Sequence, residues 1–449
     1  MNSLYPFQQA GVEFLKRTPK ALLADEMGLG KTVQVAVVLR ELKPSRVLVI
    51  CPASVMSCWE RELSAWCPEV RVLALRGSVK DRAAVLKSSL AGSELIVVVI
   101  NYDVVRKMVT ELSGVSWKVL VVDESHRVKN RKAKVTRAVS LLARQVPRTI
   151  LLTGTPILNR PDDLWAQLNI LYPDRYRSYW RFVETYCRVR YNGFGWEVRG
   201  PRDPEGLWKE ISPFTLRREK SQVLSDLPPK VTQQIWVDLE GEQLELYQQM
   251  RSELIARLEL GEVAAFSAVV QLLRLRQICV EPSVMFSDPA PLSGAKAQAL
   301  EDVLEGGVQK VVVFSQWSRV VRSVSKFLEK KGISHVCLTG ETPQRERARI
   351  IEEFQTSPIG AFVSTIGAGG VGITLTAADT VVFLDKDWTP ALNQQAVDRL
   401  HRIGQRSTVW VYEILARDTV EEYVERLLAQ KCEWSESILA QKILTSRGF

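Results

Sequence analysis

The stretch "ALLADEMGLGKTVQVAVVL" (21–39) places a short apolar run, a glycine-rich loop and a helix-forming run in direct succession. In a strand–loop–helix of this kind, backbone N–H groups and the positive helix N-terminus bind phosphate oxygens. The general pattern is G-x-x-x-x-G-K-[S/T], and Gly30, Lys31 and Thr32 match its end. Asp25 stands where that pattern has its first glycine. The sequence therefore predicts a phosphate loop that departs from the general pattern at its first position. A glycine-rich turn with a surface lysine is the competing interpretation.

Short apolar runs rich in Val, Ile and Leu recur along the chain, separated by helical stretches. Such runs are typical of strands that are buried on both faces of a parallel sheet. They lie at 21–24, 47–51, 95–100, 119–123 and 149–153 in the first half, and at 310–315, 335–340, 361–365, 380–385 and 409–415 in the second. The sequence therefore predicts two α/β domains with about five central strands each.

The bulk properties limit the class of protein. The chain has 449 residues, a formal net charge of +9 and a pI near 9.1, so at least two domains are expected. No apolar run approaches the roughly 20 residues of a membrane span, and the start lacks a signal-peptide pattern. The seven cysteines include no C-x-x-C pair, which favours reduced thiols over a metal site. These features predict an intracellular protein with no membrane partner, whose charge suits a polyanion.

A second motif, "VLVVDESH" (119–126), ends a predicted buried strand in two carboxylates. Asp123 stands where a phosphate-loop enzyme needs an Mg²⁺-binding carboxylate, and Thr32 would supply the other protein ligand. Glu124 follows directly and can orient or deprotonate an attacking water. A polar exit from a strand is the structural alternative. Together with the phosphate loop, the pair predicts a nucleotide hydrolase.

A third motif, "QQAVDRLHRIGQR" (394–406), lies in the second predicted domain. Arg399 and Arg402 are three residues apart and share one face if the segment is helical. Two guanidinium groups there could act on a γ-phosphate as arginine fingers. A solvated basic helix is the alternative for an isolated R-x-x-R, and the accompanying motifs favour the catalytic interpretation.

These pieces, in this order, resemble the Swi/Snf family of superfamily 2 helicase-like ATPases, which are double-stranded DNA translocases. The resemblance extends from about residue 4 to about residue 428. The family-like segments are "LYPFQQAGVEFL" (4–15), "DEMGLGKT" (25–32), "VICPASVMSCWERE" (49–62), "VVDESHRVKN" (121–130), "LLTGTPILNR" (151–160), "LPPK" (227–230), "LRQICVEP" (275–282), "VVVFSQW" (311–317), "LTGETPQRERARIIEEF" (338–354), "STIGAGGVGITLTAADTVVFLD" (364–385) and "DRLHRIGQR" (398–406). Asp25 is then the family's own first loop residue.

The resemblance implies an α/β fold of two RecA-like parallel-sheet lobes in tandem, with helical insertions between and within them. We expect the first lobe over 1–228, with a helical and aromatic protrusion at about 162–218. A helical protrusion and linker is expected over 229–294. The second lobe, of helicase C-terminal type with a C-terminal helix, is expected over 295–449.

The resemblance also implies roles for individual residues, with ATP and Mg²⁺ as cofactors. The residues expected to bind ATP are Gln8, which would contact adenine, Asp25, Glu26, Met27, Gly28, Leu29, Gly30, Lys31, Thr32, Gly370 and Gln395. Those expected to couple hydrolysis to motion are His126, Thr153, Gly154, Thr155 and His401, with both histidines hydrogen-bonding across the cleft. Catalysis is assigned to Lys31, Asp123, Glu124, Arg399 and Arg402.

Double-stranded DNA is the expected track, held by its phosphates rather than its bases because backbone contacts carry no sequence information. The residues expected to contact it are Ser54, Lys129, Asn130, Thr342, Arg347, Ser364, Thr365 and Trp388. The basic run 126–137 is equally compatible with a solvated helix face. The aromatic stretch 172–196 is compatible with a DNA-facing protrusion, but packing is the favoured interpretation.

Two alternatives stay open for the function: a strand-unwinding helicase on single-stranded DNA or RNA, and a catalytically silent nucleic-acid clamp. Gly367 stands where the family usually has Lys or Arg, which puts one charge contact in doubt. The segments "DESH", "TGTPILNRPDDLW" and "YWRFVETYC" look most like the annealing-helicase branch. Because no accessory domain is recognised, a separate protein is expected to supply substrate specificity to a monomeric motor, cytoplasmic in a prokaryote or nuclear in a eukaryote.

Overall fold

The computed structural model describes residues 3–89, 95–193, 195–259, 265–286, 288–369 and 373–439, without the side chains of 255–269. The chain divides into two compact units. The first contains residues up to Ser225 together with 431–439, and the second is Asp226–Gln430. The predicted domain boundaries at 228/229 and 294/295 stay predictions.

The first unit is a parallel sheet covered by helices, with a separate two-stranded hairpin. Its strands are β1 (Lys20–Leu23), β2 (Arg46–Cys51), β3 (Arg71–Ala74), β4 (Ile96–Asn101), β5 (Val119–Asp123), β6 (Arg148–Leu152), β7 (Cys187–Tyr191), β8 (Trp196–Pro201) and β9 (Thr215–Leu216). Its helices are α1 (Pro6–Arg17), α2 (Lys31–Leu42), α3 (Met56–Trp66), α4 (Val79–Ser89), α5 (Tyr102–Lys107), α6 (Val109–Ser113), α7 (Lys134–Arg144), α8 (Asp163–Leu171), α9 (Tyr179–Tyr186), α10 (Pro204–Ile211) and α11 (Lys220–Val223). Short 3₁₀ turns occupy Ala53–Val55, Ser125–Val128 and Ser212–Phe214.

The strand order of the first sheet is β3-β4-β2-β5-β6-β1-β9, with every pair parallel. The central strands β2, β4 and β5 are almost continuous Val, Ile and Leu because both faces of the sheet are covered by helices. In a parallel sheet all carboxyl ends meet at one edge, and short loops there lead into helices. The order therefore places the ends of β5, β6, β1 and β9 side by side.

The second unit repeats this architecture with the order β10-β15-β14-β11-β13-β12, again all parallel. Its strands are β10 (Lys230–Val237), β11 (Val311–Ser315), β12 (His335–Leu338), β13 (Ala361–Thr365), β14 (Thr380–Phe383) and β15 (Val409–Ala416). Its helices are α12 (Gly241–Glu259), α13 (Ala265–Val280), α14 (Gly294–Glu305), α15 (Ser318–Lys330), α16 (Gln344–Thr356), α17 (Ile366–Gly369), α18 (Pro390–Val397) and α19 (Val420–Leu439), whose last turns belong to the first unit, with a 3₁₀ turn at Pro282–Met285.

The prediction of two parallel-sheet α/β units is confirmed, and each of the ten predicted runs contains a strand. Three further strands of the two sheets, β3, β9 and β10, lie at sheet edges and do not show the apolar pattern. β3 and β10 keep partly exposed or polar residues, and β9 has only two residues. The predicted protrusion also contains the unanticipated β7–β8 hairpin. In the described part of the chain, no helix combines the length and apolarity that crossing a bilayer requires.

Candidate nucleotide site

Four neighbouring strand ends bring the phosphate loop and the other predicted catalytic residues of the first unit together. Asp123 at the end of β5 is paired with Leu152 of β6, and Leu23 of β1 is paired with the same Leu152. Leu23 is also paired with Leu216 of β9. The segments that follow these strands therefore leave the sheet at adjacent positions, although they are widely separated in the sequence.

The phosphate loop adopts a conformation that only glycine supports easily. Gly28 and Gly30 have φ angles of 88° and 72°, in the left-handed region. A Cβ on Gly30 would lie 2.5 Å from the Gln8 amide nitrogen, which donates to the Leu29 carbonyl at 3.3 Å. Lys31 lies across the loop and donates to the carbonyls of Asp25 and Glu26 at 2.7 and 3.3 Å. Gln8 and the loop thus form one packed unit at the start of α2.

The Asp25 side chain is fully buried and does not face outward from the loop. The guanidinium of Arg218 binds both of its carboxylate oxygens, with Nε 2.9 Å from Oδ1. Gln34 of α2 donates to Oδ2 at 3.1 Å, and its own carbonyl oxygen accepts from Arg218 at 2.9 Å. Gly11 of α1 is required here, because a Cβ on it would lie 1.9 Å from the Gln34 oxygen. Asp25 therefore anchors the loop, and the geometry does not support direct nucleotide contact by its carboxylate.

Two neighbours of Arg218 extend this anchor along the segment that follows β9. Arg217 donates to the carbonyls of Ala24 and Gly154 at 3.4 and 3.3 Å. The Lys220 backbone N–H donates to the Glu26 carboxylate at 2.7 Å, and its buried ammonium lies 3.6 Å from the other oxygen. Sequence reasoning missed these three residues. The basic run "LRREK" (216–220) was a signal, but its contact with the loop is not visible in the sequence.

Asp123 is buried, and its carboxylate is held by two donors. Trp59 of α3 donates its indole N–H to Oδ2 at 2.9 Å, and the Glu124 backbone N–H donates to Oδ1 at 2.9 Å. Burial, with a smaller contribution from the neighbouring Glu124 charge, raises the pKa of Asp123 to about 6. A carboxylate in this state gains from a nearby cation, because the cation stabilises the ionised form that burial disfavours. Trp59 is a second residue that sequence reasoning missed.

Glu124 has an unusual backbone, with φ 51° and ψ 51°, in the left-handed region that a glutamate rarely adopts. The Tyr102 hydroxyl, which lies just after β4, donates to the carbonyls of Asp123 and Glu124 and so fixes this turn. The Glu124 Oε2 atom is buried, accepts no hydrogen bond from the described residues, and lies 3.3 Å from His126 Nδ1. Because buried carboxylate oxygens usually have hydrogen-bond partners, this atom retains the capacity to accept a hydrogen bond or proton from a water or substrate.

His126 connects the carboxylate pair to the segment after β6. Its Nδ1 lies 3.3 Å from the Glu124 carboxylate and 3.2 Å from the Thr153 hydroxyl. Burial lowers the pKa of His126 to about 3, so the ring is neutral near pH 7. A Cβ on Gly154 would lie 2.4 Å from the Met27 side chain and 3.6 Å from the Lys31 ammonium. The predicted coupling segment therefore touches the phosphate loop, and these His126 contacts lie within the first unit.

The predicted catalytic residues of the second unit, Arg399 and Arg402, are not on a helix, so the condition under which they would share a helical face is not met. α18 ends at Val397, and both arginines lie in the turns that follow. Arg399 is buried, whereas Arg402 is half-buried and donates to the Ile373 carbonyl at 3.3 Å. His401 hydrogen-bonds to the Pro228 carbonyl at 2.8 Å in the same unit. Gln395 is buried on α18, and Gly370 lies outside the described residues.

The residues predicted to contact DNA fall into two groups. Ser54, Asn130 and Thr342 are at least partly exposed, and Lys129 forms a 3.2 Å ion pair with Asp163. The others are engaged internally: Arg347 donates to the Thr342 and Thr339 carbonyls, Ser364 is fully buried and donates to the Leu338 carbonyl, Thr365 is buried, and Trp388 packs on Arg276 at 4.7 Å. Direct phosphate contact by the Ser364 hydroxyl is therefore not supported, because that group is already bonded inside the sheet.

Comparison with known proteins assigns the chain to a family. The model of the SNF2-related domain matches residues 7–284, and that of the helicase conserved C-terminal domain matches residues 295–404. A solved structure titled "Sulfolobus solfataricus SWI2/SNF2 ATPase core in complex with dsDNA" is 30% identical, with coverage of 98% of this chain and 94% of that one and a TM-score of 0.46.

Curated relatives match nearly the whole chain. The ISWI chromatin-remodeling complex ATPase ISW1 of Saccharomyces cerevisiae is 30% identical over 98% of this chain. An uncharacterized ATP-dependent helicase of Mycoplasma genitalium is 30% identical over 99% of it. The human SWI/SNF-related matrix-associated actin-dependent regulator of chromatin subfamily A member 1 is 34% identical over 90%. The chain spans 41%, 43% and 40% of these relatives' own lengths. Because a single family model covers more than half of the chain, the protein belongs to the SNF2-related family of helicase-like ATPases.

Proposed function

We propose that this protein is an ATP-driven motor that translocates along double-stranded DNA. The observation that carries the proposal is the convergence of the phosphate loop, Asp123, Glu124 and Thr153 at adjacent strand ends of the first unit. The strained turn at Glu124 and its buried Oε2 atom, which accepts no hydrogen bond from the described residues and lies 3.3 Å from His126 Nδ1, support a hydrolytic site rather than a binding site alone.

In this proposal the side chains of the first unit divide the chemistry among themselves. The loop N–H groups and Lys31 bind the phosphates, and Glu124 orients and deprotonates the attacking water. The buried Asp123 carboxylate and the Thr32 hydroxyl at the start of α2 have the hard oxygen donors that Mg²⁺ prefers. When bound with ATP, Mg²⁺ would neutralise charge on the phosphates.

We infer that Arg399 and Arg402 of the second unit stabilise the charge that develops on the transferred phosphoryl group. Gln8, Glu26, Met27, Gly28, Leu29, Gln395 and Gly370 remain proposed nucleotide contacts, whereas Asp25 is proposed to position the loop. The contacts His126–Thr153 and Gly154–Met27 support a role for residues 153–155 in relaying the nucleotide state.

Duplex DNA is proposed as the track because of the chain's basic charge and its relatives. One relative is named as the ATPase of a chromatin-remodeling complex, and another is named chromodomain-helicase-DNA-binding protein 1-like. The exposed Asn130 and the half-buried Ser54, Lys129 and Thr342 are the first candidates for phosphate contacts. A monomer that works with a separate specificity protein, and membership of the annealing branch, also remain proposals.

The deciding experiment measures ATP hydrolysis without nucleic acid and with duplex DNA, single-stranded DNA or RNA at one fixed salt concentration. We expect duplex DNA to stimulate hydrolysis most, and the stimulation to decline steeply with salt because phosphate contacts release counterions. Equal rates under all four conditions would contradict the motor. Stimulation by single strands alone, with strand separation of a tailed duplex, would favour the unwinding helicase instead.

A further inference from the structure

The strands β7 and β8 form an antiparallel hairpin that carries exposed aromatic side chains away from the core of the first unit. Tyr191 and Trp196 lie opposite each other near the tip, where they are a cross-strand pair. Their ring centroids are 5.6 Å apart, and the two residues are 56% and 61% exposed. Soluble proteins usually bury such side chains, so a paired and exposed Tyr–Trp face is a feature that needs an explanation.

The base of the hairpin is anchored, so the exposed tip is held in a fixed place. Cys187 and Val198 are buried in the core of the first unit. A Cβ on Gly200 would lie 3.1 Å from the Trp434 indole, which closes over the base of the hairpin. At the tip, the Asn192 side-chain oxygen accepts from the Gly195 N–H at 2.9 Å, and the Tyr191 hydroxyl donates to the Gly193 carbonyl at 3.0 Å.

The two faces of the hairpin differ in chemistry. Side chains alternate across a strand, so Val189, Tyr191 and Trp196 share one face, and Arg190, Glu197 and Arg199 share the other. Glu197 pairs with Arg199 at 2.9 Å. Arg188 and Arg190 are exposed, and neither forms an ion pair with a carboxylate in the described part of the chain. Residues 175–202 contain seven arginines and two glutamates.

We propose that this hairpin is a base-stacking element that engages unpaired bases next to the duplex track. Aromatic rings that stack on bases, flanked by cations that attract phosphates, are the combination that binds single strands without sequence preference. The excess of arginine favours a negatively charged polymer as the binding partner over an apolar protein surface that lacks acidic residues. This inference rests on the proposed function and specifies its substrate class: DNA with a single-stranded region, such as a fork or a tail.

The test uses the full chain and compares equilibrium binding to three DNAs by fluorescence anisotropy. The first is a blunt duplex, the second carries a tail of about 10 thymidines, and the third carries a tail of the same length made of abasic sites. We expect the thymidine tail to strengthen binding about tenfold, and the abasic tail much less, because it keeps the phosphates but has no bases to stack.

In the double variant Tyr191→Ala, Trp196→Ala, the thymidine tail should no longer increase the binding affinity. Its affinity for the blunt duplex should equal that of the parent. Phe286→Ala is the matched control, because Phe286 is another aromatic residue with 68% exposure and should keep the gain. Thermal unfolding of each variant verifies folding. Arg190→Ala, which leaves both rings in place, should weaken binding of both tails to a similar degree.

If the double variant keeps the parent's ratio of affinities for thymidine-tailed and blunt DNA, the inference is overturned. The aromatic face would then bind another partner, such as a protein. A parallel loss for blunt and tailed DNA would also overturn it, because the hairpin would then contact duplex phosphates. Because the readout is binding rather than hydrolysis, failure of the proposed motor activity remains distinguishable: that failure would appear as absent ATPase stimulation by the blunt duplex.

Discussion

The two parallel sheets both end in a polar edge, but the polar side chains that the structure describes there are arranged differently. In the first unit, Gly28 and Gly30 open the loop after β1, and the Glu124 Oε2 atom accepts no hydrogen bond from the described residues, with His126 Nδ1 3.3 Å away. In the second unit, Asp385 after β14 accepts from the Ser315 hydroxyl at 2.5 Å and from the Gln316 N–H at 2.8 Å.

The second edge is also filled by a side chain from outside the sheet. Arg276 of α13 is almost fully buried between the rings of Trp317 and Trp388, at 5.2 and 4.7 Å from their centroids. It donates to the Gln316 side chain at 3.0 Å and to the Lys386 carbonyl. The same architecture therefore carries the proposed nucleotide site at the edge of one unit and an internally bonded cluster at the edge of the other. Substitutions at the two edges should affect different properties.

The largest effect is expected at the first edge. Lys31→Ala and Glu124→Gln should each lower stimulated ATP hydrolysis by about 1000-fold or more, because they remove a phosphate ligand and the base. Glu124→Gln keeps the size of the side chain, so nucleotide binding should persist. Phosphate release and nucleotide-binding assays measure the two properties. Glu111→Gln on α6 is the control at an exposed site. Full turnover in Lys31→Ala or Glu124→Gln would show that hydrolysis takes place at another site.

The anchor of the phosphate loop comes next. Asp25→Asn and Arg218→Gln each leave one buried charge without its partner, which should lower the free energy of unfolding by about 3 kcal/mol. The double variant should lose less than the sum of both. Urea denaturation measures the change. Glu13→Gln breaks the exposed Glu13–Lys16 pair instead and should cost little; a comparable loss there would contradict the importance of burial.

A smaller effect on turnover is expected in the second unit. Arg402→Ala should lower kcat by about 100-fold with little change in ATP affinity, because the interaction strengthens in the transition state. Single-turnover hydrolysis measures the rate of the chemical step, and a separate nucleotide titration measures the affinity for ATP. Arg417→Ala, an exposed arginine paired with Asp238, is the control. If ATP affinity falls in proportion, Arg402 serves ground-state binding instead.

The smallest effect concerns pH. Burial raises the pKa of Asp385 to about 6, above the value of about 3.9 for an unfolded aspartate. The stability contributed by protonated Asp385 is therefore present below about pH 4 and lost as pH rises through about 6. Between pH 5 and 7.5 the wild type should lose about 1 kcal/mol relative to Asp385→Asn, as measured by urea denaturation. Asp302→Asn, at an exposed site on α14, should show no such difference, and a parallel pH profile for Asp385→Asn would refute the assignment.

Local sequence predicted ten of the strands, the glycine loop and the Asp123–Glu124 pair, because each depends on neighbours within a few residues. It left open whether the R-x-x-R segment is helical, and the structure places that segment in turns after Val397. Edge strands such as β10 were missed because one side of an edge strand needs no apolar cover. The exposed face of the β7–β8 hairpin was missed because aromatic side chains usually indicate packing.

The sequence by itself predicted two parallel-sheet units and a phosphate loop, because strand periodicity and glycine spacing are local properties, and its resemblance to the Swi/Snf family implied which type of loop this is. It could not determine why Asp25 replaces a glycine. Only the tertiary structure pairs Asp25 with Arg218, which lies 193 residues further along the chain. The reason is physical: a buried carboxylate must find a cation, and only the strand order, which places β9 beside β1, brings that cation to the loop.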